Sequence, residues 1–136
     1  MLIGHNISTD ITNKSLDDAI ENESTFVQIF TSDPCSFKYN DYFNESIIKR
    51  YKNRLQYVIH GSFLINLCRL PNDRITLNSI NLLKRDLKIC KSIGALGVII
   101  HMGKNTGKLK NDDAFNMYIT NLNRVLSETT NSIIIL

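Results

Sequence analysis

The chain has 136 residues, 43% hydrophobic and 21% charged, with six glycines and two prolines, the composition of one ordinary folded domain and not of a disordered tail or a fibre. A formal charge of +3 does not by itself identify a nucleic-acid binder, because lysines on solvated helix faces give the same balance. Three widely spaced cysteines, Cys35, Cys68 and Cys90, form no CxxC pair; this argues against a disulfide framework or a zinc finger and favours a reducing intracellular setting, whether cytoplasm, nucleus or viral factory. No apolar stretch reaches the roughly 20 residues that cross a bilayer, and the first residues lack the pattern of a signal peptide, so a membrane partner is not expected.

In chain order, an apolar run from Leu2 to Ile7 predicts a first strand, followed by a short helix from Ser15 to Glu21 with Ser15 at its start. Thr25 to Phe30 is β-branched and aromatic, a second strand that ends at the turn-forming Ser32, Asp33 and Pro34. Asp41 to Tyr51 predicts a helix and Gln56 to His60 a strand. From Arg74 to Ile93, apolar residues at 77, 80, 83, 87 and 90 trace one face of a long helix, with Gly94 placed for its C-cap. Leu96 to His101 predicts a fourth strand, Asp112 to Ser127 a helix, and Ser132 to Leu136 a fifth strand.

Strands apolar on both faces, alternating with helices, indicate a parallel sheet in an α/β fold: four βα units plus a fifth strand in a single unit, residues 1–136. An open doubly wound sheet and a TIM barrel both begin this way. A complete barrel needs typically ~250 residues, so only about half of one fits here.

Two strands end in histidine, at His60 and His101. Functional groups gather at the carboxyl ends of parallel strands, and neighbouring strands lie roughly 4.8 Å apart, so these imidazoles are candidate ligands of one metal ion or else two rim histidines bonded to carbonyls. The loop from Gly103 to Leu109 imitates a P-loop but has the wrong glycine spacing and no Ser or Thr after Lys108, which argues against nucleotide binding. Its Lys104, Lys108 and Lys110 read as a solvated basic loop or as phosphate contacts, and Lys49, Arg50, Lys52 and Arg54 as an exposed helix end.

Four segments, 3–8, 27–31, 58–67 and 89–103, with His60-Gly-Ser-Phe-Leu-Ile-Asn-Leu67 the most specific, resemble in order and spacing the amino-terminal half of the endonuclease IV family. The resemblance implies half of a TIM barrel from an enzyme that binds three zinc ions and cleaves double-stranded DNA 5′ to abasic sites. It implies His60 and His101 as ligands of one zinc, Phe63 as the aromatic that inserts beside the lesion, and Asn66 as a polar DNA-binding residue beyond it. Clustered zinc acidifies water and offsets charge at phosphorus, and an abasic nucleotide, having lost a stacking partner, is cheap to extrude.

The departures from the family pattern are equally specific. His5 stands one place early, with Asn6 in its slot, and a one-residue shift sends a strand side chain to the opposite face. Cys35 and Ser36 replace a basic residue, while the aromatic partner survives as Phe37. The glutamate that bridges two zincs would follow Leu136, so the resemblance implies no catalytic carboxylate within these residues. A fragment or split-gene product is expected, paired with a second polypeptide or a carboxyl-terminal half, or else a degenerate, incomplete relative. The rival readings are a metal-dependent sugar isomerase or epimerase on the same barrel, and a non-catalytic half-barrel that binds DNA or pairs with another chain.

Overall fold

A computed structural model describes residues 3–7, 10–39, 43–106, 109–129 and 134–135. Within them the elements are β1 (Gly4–Ile7), α1 (Asn13–Glu21), β2 (Phe26–Ile29), α2 (Glu45–Arg50), β3 (Gln56–His60), α3 (Arg74–Ile93), β4 (Val98–Ile99), α4 (Asn111–Ser127) and β5 (Ile134–Ile135). The five strands are parallel and pair strictly in chain order. Crossovers between parallel strands are right-handed, so an order that never reverses puts every helix on the same side of the sheet. A doubly wound sheet reverses its order and is covered on both sides. The sequential order therefore identifies the singly wound, barrel-type alternative.

The side-chain packing agrees. Register aligns Ile7, Ile29, Ile59 and Val98 across four strands, with Val27 beside Tyr57 on the same face. All six belong to the buried core, together with Leu16 and Ala19 of α1, Ile48 of α2, Ile80, Leu83 and Leu87 of α3, and Tyr118 and Val125 of α4. The opposite face carries Asn6, Gln28 and Val58 in one row and His60 and Ile99 in the next. None of these five is part of the helix-packed core. The sheet thus has one dry side and one side turned away from the helices.

Local chemistry sets the helix ends. α1 begins two residues before the predicted Ser15: Thr12 is the N-cap and Ser15 its reciprocal partner in a capping box, because both hydroxyls reach the orphan amides of the first turn. α2 is shorter than the predicted 41–51 helix; Asn44 caps it by accepting from the Ser46 amide, and Asp41 and Tyr42 lie outside the described residues. α3 has the predicted bounds, capped by Asp73 and ended by Gly94 at φ +71°, a left-handed conformation that costs glycine no Cβ clash. Its predicted stripe needs correction: Leu77 is exposed, while Leu82, Ile89 and Ile93 are buried, because α3 packs against α2 on one flank and α4 on the other. The second and fourth strands are trimmed to Phe26–Ile29 and Val98–Ile99. Of the predicted fifth strand, residues 132, 133 and 136 lie outside the described residues.

Candidate functional site at the strand ends

β3 and β4 are adjacent, and His60 and His101 stand at their carboxyl ends with ring centroids 5.3 Å apart. His60 is only 8% exposed. Its Nδ1 lies 2.7 Å from the Gly61 carbonyl oxygen. A carbonyl only accepts, so Nδ1 is the donor, which leaves Nε2 as the nitrogen turned to other partners. His101 is exposed.

Two phenylalanines complete a cluster of four rings. Phe30, buried one residue beyond β2, packs its ring 5.0 Å from His60. Phe63 is 52% exposed and lies edge-on to His60 at 5.2 Å, with His101 at 5.7 Å and Phe30 at 5.8 Å. Phe63 is therefore no core aromatic: it caps the imidazole pair and presents the rest of its ring to solvent. Phe30 was not singled out in the sequence. It follows Gln28 by two along β2, which puts it on the face of His60, and this alternation is the signal that could have found it.

Asn66 sits deeper in the loop between β3 and α3 and is part-buried. Its Nδ2 donates to the Lys104 carbonyl at 2.9 Å, and its Oδ1 accepts from the Cys68 amide at 3.0 Å. Phe63, Leu64, Asn66, Arg69, His101 and Lys104 line an open groove of about 540 Å³ beside the ring cluster. Its lining mixes apolar side chains with the exposed Lys104, which suits an amphipathic ligand that carries negative charge.

Asn6 faces the same side of the sheet as His60 and accepts from Gln28 Nε2 at 3.4 Å. His5 aligns with Val27, on the helix-covered face, as the register argument requires. Phe37 is half-buried against the core beyond β2. Lys104 and Lys110 are exposed, whereas Lys108 lies outside the described residues. Among the described residues no group of three or more His, Cys, Asp or Glu stands ready to hold a metal ion. None of the helices described is long and apolar enough to cross a membrane.

Fold and strand-end chemistry define the class: a parallel βα array of TIM-barrel type, five strands wide, with a polar and aromatic cluster on its carboxyl rim. No family model matches the chain. An endonuclease 4 protein of Acanthamoeba polyphaga mimivirus is 45% identical over 82 residues, 57% of this chain and 26% of that protein. An endonuclease 4 protein of Symbiobacterium thermophilum is 31% identical over 140 residues, 97% of this chain and 49% of that protein. In three dimensions, endonuclease IV from Thermus thermophilus superposes with a TM-score of 0.68 at 20% identity, covering 90% of this chain and 46% of that one. A D-tagatose 3-epimerase-like protein superposes nearly as well, with a TM-score of 0.66 at 13% identity over 95% of this chain and 50% of its own. The structural likenesses show the fold alone; the sequence matches carry the family. The chain is a partial homologue of the endonuclease IV family, spanning about a quarter to a half of the length of the relatives it matches.

Proposed function

We propose that residues 1–136 form one partial barrel domain of a DNA repair endonuclease that cleaves the phosphodiester 5′ to abasic sites. In this reading His60 and His101 hold one zinc ion, and Phe63 and Asn66 serve the DNA-facing surface. The observation that carries the proposal is the 5.3 Å between the two imidazoles. Two histidines sharing one tetrahedral zinc, with bonds near 2.0–2.1 Å, bring their ring centres to roughly 5 Å, so the pair fits the ion. The Gly61 carbonyl supports the same fit, because a proton held on Nδ1 leaves Nε2 as the ligating atom. The described residues supply two ligands. The remaining ligands belong to a carboxyl-terminal half, on the same polypeptide or on a second one.

When bound, zinc supplies an acidified water and neutralises charge developing at phosphorus. The chain's own residues do the positioning. His60, buried and bonded to the Gly61 carbonyl, keeps one ring orientation. Phe63, exposed above both imidazoles, is suited to fill the void left by a missing base, which selects an abasic nucleotide over a stacked one. Lys104, exposed where it lines the groove, favours the approach of phosphates. The substrate on this reading is double-stranded DNA containing abasic sites, which sets the protein's work inside the cell.

Zinc titration of the chain tests the metal site: about one ion binds per chain, and His60→Ala and His101→Ala each abolish binding. Adding the carboxyl-terminal half of an endonuclease 4 relative should restore nicking of an abasic duplex. Phe63→Ala is expected to slow that nicking about tenfold or more while shifting Tm little, since the ring is half in solvent. Isomerisation of a ketose without any nicking would replace this reading with the epimerase one.

A further inference from the structure

We infer that Asn66, Cys68 and Arg69, in the loop after β3, form a clamp that positions His101 beside His60. The inference rests on the metal reading only for its consequence, not for its geometry. His101 is exposed and begins a segment, 101–106, without helix or strand bonding of its own, so something outside that segment must fix it. Three side chains from one loop reach across to it. Asn66 Nδ2 donates to the Lys104 carbonyl at 2.9 Å, Cys68 Sγ to the Met102 carbonyl at 3.1 Å, and Arg69 Nη1 to Thr106 Oγ1 at 3.1 Å. The bonds fall on every second residue after His101, which ties the whole segment along its length.

The clamp is itself anchored. The Asn66 amide donates to Ser79 Oγ of α3 at 3.0 Å, and Asn121 of α4, buried, donates from Nδ2 to the carbonyls of Leu67 at 2.8 Å and Arg69 at 2.9 Å. Arg69 is further held by Asp73, whose carboxylate accepts from both Nε and Nη2 at 2.9 Å. Gly103 shows how closely the two loops fit. Its φ is +92°, and a Cβ there would lie 2.6 Å from Asn66 Oδ1, so the contact has no room for a side chain. The two helices thus hold the loop after β3, and that loop holds the residues after His101. Asn66, Cys68 and Arg69 are positioning residues in this arrangement, and Asn66 serves the DNA-facing groove through the loop it restrains.

The test uses the 136-residue chain, first without metal and then with zinc alone. In the metal-free chain a nuclear Overhauser contact between the His60 and His101 rings reports their approach. Asn66→Ala and Thr106→Ala should each weaken that contact and lower zinc affinity about tenfold, the scale of lost outer-shell support for a metal ligand. Thr106→Ser, which restores the hydroxyl that Arg69 reaches, should recover both. Thr106 is exposed, so if Asn66→Ala fails to fold the Thr106 pair still decides. An unchanged ring contact in Thr106→Ala and in any folded Asn66→Ala overturns the clamp. If the wild-type chain takes up no zinc while the ring contact still depends on Thr106, the clamp stands and the metal reading falls.

Discussion

Asp86 has no solvent exposure, and only one of its two carboxylate oxygens has a partner. Thr31 Oγ1, just past β2, donates to Oδ1 at 2.6 Å, and Arg85 Nη1 stands 3.8 Å from the same oxygen. Burial dominates these two contacts and raises its pKa from 3.8 to about 6. The folded state therefore holds the proton more tightly than the unfolded state. Stability falls as pH rises from about 4 to about 6, by an amount of roughly 3 kcal/mol at full effect. Asp86→Asn should flatten that slope, measured as the urea midpoint against pH. Asp73 works in the opposite sense. Its hydrogen bonds from Arg69, with help from the Ile75 amide, hold it down at about 2, so it favours the fold above pH 4 and loses that contribution as acid protonates it. Composition does not separate the two: Asp73 caps α3 and is held by Arg69, whereas Asp86 lies inside the same helix and is packed away from solvent.

At the scale of elements, caps carry measurable stability. The Thr12 hydroxyl accepts from the Ser15 amide at 3.1 Å and Ser15 Oγ accepts from the Thr12 amide at 2.9 Å, so Thr12→Ala should cost about 1 kcal/mol, read from equilibrium denaturation. The long helix α3 was legible to the residue because its apolar period and its terminal glycine point to the same bounds, and the acidic N-cap Asp73 agrees with them. α1 was misjudged at its start because two hydroxyls three apart each resemble a cap, and only the reciprocal bonding shows which one leads. Of the candidate site, the strand-end histidines were visible from position alone. The clamp was not, since Asn66 and Lys104 are separated by 38 residues and nothing in either segment announces the other.

At the scale of the whole molecule, α4 carries two apolar stripes among the described residues. α4 buries Ala114, Tyr118 and Val125 against its own core. It also turns Phe115, Ile119 and Leu126 outward, all three exposed. An outward apolar stripe at this spacing is an unpartnered helix face, and β5 pairs with β4 alone among the described strands. If the proposed function holds, Ile119→Glu should weaken capture of a carboxyl-terminal endonuclease 4 half, followed by size-exclusion chromatography, without altering the His60–His101 ring contact.

The strictly sequential strand order has a consequence for biosynthesis. A polypeptide leaving the ribosome amino end first lays down β1 before β2 and β2 before β3, and each arriving strand finds its hydrogen-bonding neighbour already made. No described strand has to wait for a later one to be inserted between it and its predecessor. Assembly by vectorial addition at one growing edge limits each closure to a single βα unit, shorter than an order that needs later insertions would demand.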